Sequence, residues 1–228
     1  MRKFIIIFLL LLFGGSSFAN DKLIAEQTVQ NRIDNIGSKI LNANKIENRI
    51  VFVYNKDAKK SALKVEKTLT KRQVVMYDEY YKFIQDDNEL AAYLAREISI
   101  AARTFRGFAN GWLTSVQIKA APKKYEMVAD KAAVDLMVKA NYNPVAIITF
   151  INKAYPQTHQ DFISTHNLTS KRLANIYEYI YTKYPYYLEN NEYIQNESYQ
   201  NFLLTSVNNR KLLEDKVRNK SKENLKYE

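Results

Sequence analysis

The chain of 228 residues contains no cysteine. The absence of thiols excludes disulfides, thiolate zinc sites, thiol catalysis and the attachment of lipid to an N-terminal cysteine. Histidine is scarce too, since His159 and His166 are the only two. The chain therefore has few side chains with which to hold a transition metal, and His159 is interpreted as a surface residue.

A long hydrophobic run occurs only at the N terminus. Arg2 and Lys3 precede an unbroken apolar run over residues 4–13. Ten helical residues rise only about 15 Å, roughly half the hydrocarbon core of a bilayer. With the small residues Ser17 and Ala19 after it, the run predicts a secretory signal cleaved after residue 19. An uncleaved anchor is the alternative. The mature chain is expected to have no transmembrane span and to be periplasmic or secreted.

The net charge stays positive after this processing. Loss of Arg2 and Lys3 lowers the basic residues from 34 to 32 against 24 acidic ones, so the mature chain carries a formal charge of +8. Exported chains rarely meet nucleic acid, and we expect no such partner. A basic surface would suit anionic envelope components, but lysine used for solubility explains the same composition.

Hydrophobic periodicity predicts an α+β fold that is mainly helical, with a small sheet. Helices are expected over 23–46, 88–105, 122–140, 144–153 and 169–184, and strands over 49–54 and 69–76. No internal repeat or flexible linker divides this part. We therefore expect a signal peptide (1–19), one domain (20–185) and a C-terminal extension (186–228).

The extension is rich in tyrosine and then in basic residues. Five tyrosines fall within residues 184–199, where they would form a sugar-binding or peptide-binding surface or half-buried cover for the core. Residues 210–228 include seven basic and four acidic side chains. This composition predicts a solvated, frayed terminal helix.

One acidic residue lies on the apolar face of the second predicted helix. Leu90, Leu94, Ile98, Ala101 and Phe105 form an apolar stripe, and Glu97 falls inside it. A carboxylate turned toward the interior is costly unless it is paired, hydrogen-bonded or bound to a metal. Glu97 is therefore functional or salt-bridged, and helical geometry alone favours the salt bridge.

The sequence segments around Glu97 resemble motifs of a known family. Residues 89–100 (ELAAYLAREISI) resemble the ELAxxLAHExxH helix of the family forty-eight metallopeptidases, the HtpX-like proteins. Residues 124–130 (KYEMVAD) are similar to the family's ExxAD segment, 141–144 (NYNP) to its AGYDP turn, and 164–167 (STHN) to its STHP segment. The matches run in order over roughly residues 28–185. The resemblance implies a zincin-like fold with a small antiparallel sheet packed on the active-site helices.

The departures from the motif concern the metal. In HExxH, two histidines four residues apart present imidazole nitrogens to zinc, and the glutamate activates the metal-bound water. Arg96 and Ile100 occupy the histidine positions here. Neither side chain offers a lone pair. By resemblance, Glu97 matches the general base and Glu126 the third zinc ligand. We expect family-type hydrolysis to fail and no cofactor to be bound.

Other residues that match family positions leave an alternative open. His166 matches a position near the metal, and Arg172 matches the arginine that follows the STHP segment. The resemblance implies that both belong to the catalytic site together with Glu97. A zinc site of His166, Glu97 and Glu126 is conceivable and would make the chain an active zinc endopeptidase with unorthodox ligands. It would have to form beside the cation at Arg96.

Arg96 has two interpretations. Its guanidinium would pair with Glu126 or Asp130 and supply positive charge where the fold once held zinc. Alternatively it points to solvent, because it lies beside the apolar stripe and not in it.

The leading functional hypothesis is a catalytically silent, exported relative of a metallopeptidase that holds an extended peptide or unfolded envelope protein. By resemblance, the strand at the substrate cleft lies within 69–76, and backbone groups of the segment Arg72, Gln73, Val74, Val75 and Met76 would bind the peptide by strand addition. The alternatives are the active zinc endopeptidase and an envelope interaction protein that uses its basic surface. The sequence does not specify an oligomeric state.

Overall fold

The computed structural model describes residues 25–47, 49–56, 73–104, 121–155 and 169–227. Over these ranges the chain is mainly helical with one small sheet, which confirms that part of the prediction. None of the helices within them is long and apolar enough to cross a membrane. The predicted signal peptide and both histidines lie outside the described residues.

The first helix, α1, covers 25–43 and lies against the sheet. Its buried face carries Ile33, Ile36 and Ile40 at helical spacing. Gly37 lies on the same face, where an added Cβ would come within 2.4 Å of the Phe52 ring. The absence of a side chain at Gly37 thus lets the helix approach the strand closely.

Two short strands form the sheet, β1 (Val51–Asn55) and β2 (Gln73–Tyr77). They pair in parallel, with Val53 opposite Val75. The expected antiparallel sheet is therefore wrong for these two strands. A parallel pair needs a crossover of a dozen or more residues, and the 56–72 segment between the strands is long enough to provide one.

Between β2 and residue 183, the described ranges contain five helices: α2 (Asp78–Tyr81), α3 (Asp87–Thr104), α4 (Pro122–Lys139), α5 (Ala146–Ala154) and α6 (Thr169–Lys183). The central helix α3 packs against α4, α5 and β2, and α6 packs against α4 and α5. The four longer helices match the predicted ones to within about two residues. The start of α5 is later than predicted because Asn143 accepts a bond from the Val145 amide at 3.0 Å and forms a turn there.

Side chains bond to the outer backbone groups of both strands. Gln30 of α1 donates to the Phe52 carbonyl at 3.1 Å and accepts from the Tyr54 amide at 2.7 Å. On the other strand, the Tyr93 hydroxyl donates to the Val75 carbonyl at 2.7 Å. Because backbone groups alternate in direction along a strand, the carbonyl of Phe52 and the amide of Tyr54 point away from β2. Gln30 therefore satisfies groups that an edge strand would otherwise expose.

Three helices make up the C-terminal part: α7 (Tyr186–Glu189), α8 (Glu197–Thr205) and α9 (Val207–Arg218). Helix α8 packs on α5 and α9 on α6. The five tyrosines range from the core to the surface, since Tyr193 and Tyr199 are buried and Tyr186 is exposed. Helix α9 ends at Arg218, ten residues before the end of the predicted terminal helix. Tyr227 is buried and donates its hydroxyl to Glu178 at 2.9 Å.

Candidate active-site region and its ion cluster

Helix α3 carries the predicted apolar stripe as far as Ala101, and Phe105 lies outside the described residues. Leu90, Leu94, Ile98 and Ala101 are completely buried in the core, and Glu97 is only 7% exposed among them. A carboxylate in this position needs partners, because burial of an unpaired charge is strongly unfavourable. The structure shows one of these partners on the same helix.

The side chain of Arg96 contacts three carboxylates. Its Nη1 donates to Glu97 Oε1 at 3.0 Å, and its Nε donates to Asp130 Oδ1 at 3.1 Å. The Nη2 atom lies 3.8 Å from Glu126 Oε1. Arg96 therefore points toward α4, where Glu126 and Asp130 are one helical turn apart, and not to solvent.

Arg172 of α6 approaches the same carboxylates from another side. Its Nε and Nη2 atoms donate to the two oxygens of Asp130, both at 2.9 Å. Its Nη1 lies 3.3 Å from Glu126 Oε1, and the guanidinium carbon lies 4.9 Å from the centre of the Tyr155 ring. The bidentate contact between Arg172 and Asp130 is the strongest geometry for an arginine and a carboxylate.

These five residues form an ion cluster: Arg96, Glu97, Glu126, Asp130 and Arg172. Two cations meet three carboxylates, and the side chains are between 2% and 14% exposed. Burial alone lowers the pKa of both arginines, but the neighbouring side chains outweigh this effect. Tyr155 and then Asp130 contribute most to the raised pKa of Arg96, and Asp130 contributes most to the raised pKa of Arg172. Both guanidiniums therefore stay charged.

The cluster does not fit a zinc ion. The guanidinium of Arg96 occupies the face of α3 where the motif would present a histidine, and half-buried Ile100 has no donor atom. Oxygens of Glu97 and Glu126 face guanidinium groups at 3.0 to 3.8 Å. Over the described ranges, no group of three or more potential ligands is arranged to hold a metal. His166 lies outside those ranges, as does Arg72.

The predicted substrate strand corresponds to β2. Val74, Val75 and Met76 are buried, and Gln73 at its start is half-buried. The carbonyl of Val75 already accepts the Tyr93 hydroxyl. A peptide that added to this side of β2 would have to replace that bond.

Sequence reasoning missed three contributions to this region. Arg172 was expected to take part in catalysis, and the structure places it in the ion cluster, 42 positions from its partner Asp130. Tyr155, which stacks on Arg172, follows directly after α5 and has no motif to identify it. Ser99 also supports the region, because its hydroxyl donates to the carbonyl of Arg96 at 2.7 Å.

One comparison with known proteins gives a match. The sequence profile of peptidase family M48 matches residues 107–180, a segment that contains Glu126, Asp130 and Arg172 but begins after α3. No curated protein and no solved structure matches the chain. The chain is thus similar to this peptidase family over part of its length, which indicates a metallopeptidase-related protein.

Proposed function

We propose that this chain is an exported, non-hydrolytic relative of the zinc metallopeptidases that works by binding in the periplasm or outside the cell. The match of residues 107–180 to peptidase family M48 supports the kinship. The order of the motif-like segments around Glu97 extends it to α3, and a zincin-like arrangement of these helices is part of the proposal. The N-terminal apolar run supports export.

We attribute the proposed loss of activity to the position of Arg96. Hydrolysis in this class requires a metal that lowers the pKa of bound water from about 16 to about 7, with a carboxylate as general base. Glu97 has the place of that base, but it bonds to Arg96 at 3.0 Å. Glu97 is thus already paired with a permanent cation, and the described residues around it do not fit the metal. We therefore propose that no peptide bond is cleaved.

Metal analysis and a protease assay test this part. The purified mature chain is expected to contain no stoichiometric zinc and to leave casein intact, with or without added ZnCl2. Two controls sharpen the assay: a chelator, and the Glu97→Ala variant. Cleavage that is lost on chelation and lost in Glu97→Ala would establish the alternative, a working zinc endopeptidase with unorthodox ligands.

The binding function we propose is capture of an extended peptide or unfolded envelope protein. Strand addition along β2 competes with the Tyr93 hydroxyl, because both use the Val75 carbonyl. The Tyr93→Phe variant removes the hydroxyl and keeps the ring. Its affinity for fluorescent casein should exceed that of the wild type, and an unchanged or weaker affinity would exclude β2 as the docking strand. Tyr80→Phe, a neighbouring ring 5.8 Å away, is the matched control.

A further inference from the structure

We propose that the ion cluster is a permanent cross-link between α3, α4 and α6 that takes over the structural role of a metal ion, so that the chain folds without one. This inference goes beyond the proposed function, since it concerns what holds the helices together. It would stand or fall independently of any binding or cleavage.

Asp130 is the centre of the cross-link. Its Oδ1 accepts from Arg96 Nε at 3.1 Å and from Arg172 Nη2 at 2.9 Å, while its Oδ2 accepts from Arg172 Nε at 2.9 Å. One carboxylate of α4 thus joins a guanidinium from α3 to a guanidinium from α6. A metal ion joins helices in the same way, through several ligands that meet at one point.

Burial makes this arrangement sensitive to the removal of either partner. The side chains of Asp130 and Arg172 are each 2% exposed, so water does not replace a lost partner. Truncating one partner of a buried pair leaves an uncompensated charge, whereas replacing both with apolar residues removes the penalty. The two arginines differ from a metal in one respect, because a chelator cannot extract them.

A double-mutant cycle on Arg172 and Asp130 tests the cross-link. We expect Arg172→Met and Asp130→Leu each to lower the melting temperature of the full mature chain by about 10 °C. The double variant should lose less than the sum of the two. The matched control is Arg32→Met, which breaks an arginine–aspartate pair at the surface, with Asp87 64% exposed. This control should shift the melting temperature by no more than about 2 °C.

The wild type provides the second arm. Its melting temperature should be the same in chelator, in buffer and with added ZnCl2. If chelation lowers it, a metal holds the helices and the proposal is overturned. Additive losses in the cycle would also overturn it, because independent residues do not form one cross-link. If a single variant does not fold while the double variant does, the coupling is established. If neither folds, the chelator arm decides.

Discussion

Arg96 sets the charge balance of the ion cluster, and its replacement should change what the cluster can bind. Without Arg96, three carboxylates would face Arg172 alone, a net charge of −2 in place of −1. Positions 96 and 100 lie one turn apart on α3, the spacing at which two histidines share a metal. The cluster would then attract a divalent cation.

We therefore predict that the double variant Arg96→His, Ile100→His binds about one zinc ion per chain, with Glu126 as the third ligand. Metal analysis after dialysis would measure it. Each single variant serves as a control and should bind zinc much more weakly, because one imidazole is missing. Adding Glu126→Gln to the double variant should remove the metal again. An absence of zinc from the double variant would mean that Arg172 keeps Glu126 occupied.

Gly37 reverses the usual effect of a helical glycine. Replacing glycine by alanine in a helix normally stabilises it by about 1 kcal/mol. At Gly37 the new methyl group would meet the Phe52 ring at 2.4 Å, well inside van der Waals contact. We expect Gly37→Ala to lower the free energy of unfolding by about 1 to 3 kcal/mol, as overpacking does.

Urea denaturation would measure this loss, with Ser38→Ala as the control on the exposed side of the same helix. Ser38→Ala should change stability by only a few tenths of a kcal/mol. Combining Gly37→Ala with Phe52→Leu, which replaces the ring by a smaller side chain, should recover part of the loss. A stabilised Gly37→Ala variant would show that α1 can move away from β1 at little cost.

At the scale of elements, the start of α3 is joined to α5 through one buried acid. Glu89 accepts from the Gln85 amide at 2.7 Å, and its own amide donates to Asp86 Oδ1 at 2.8 Å, so that both acidic side chains cap the start of α3. The same carboxylate accepts from Thr149 and pairs with Lys153 at 2.6 Å. Glu89 thus fixes both the first turn of α3 and its contact with α5.

We predict that Glu89→Gln lowers the free energy of unfolding by about 3 to 5 kcal/mol, because the Lys153 ammonium, 13% exposed, would lose its partner. Adding Lys153→Met should restore a large part of the stability. Lys183→Met is the comparison, since Lys183 is 46% exposed beside Asp135 and its loss should cost less than about 1 kcal/mol. Equal losses in urea denaturation for the two sites would contradict this account.

The elements also show what the sequence could predict. Helices such as α3 and α4 were found nearly to the residue, because long periodic stretches identify a helix and its buried face. The two strands were predicted, but their parallel pairing was not. Parallel and antiparallel pairs use the same β-branched and aromatic residues, and the direction depends on the path of the connecting chain.

The candidate site was also only partly predictable from the sequence. Glu97 stood out because an acid inside an apolar stripe violates the helical pattern. The partnership between Arg172 and Asp130 could not be read from the sequence, since it depends on how α6 packs against α4. Long-range pairing of charges follows from tertiary packing, and a single sequence contains no periodic signal for it.

At the scale of the whole molecule, the C-terminal extension is built into the core. Phe202 of α8 is completely buried, and the Tyr193 hydroxyl donates to Asp86, beside the start of α3, at 2.8 Å. The side chain of Asn152 in α5 donates to the Ser198 carbonyl at 2.8 Å. The predicted domain of 20–185 therefore shares its core with the extension at 186–228.

We predict that a chain ending at residue 185 fails to fold, because it exposes the surface of α5 that Phe202 and Tyr199 cover. Circular dichroism and resistance to proteolysis would measure it. A chain ending at residue 219 is the graded control: it keeps α8 and α9 but loses the Tyr227 bond to Glu178, and should melt only a few degrees below the wild type. A cooperative thermal transition in the chain of 20–185 would instead make the extension an appendage, and its tyrosines would become free to serve as a separate binding surface.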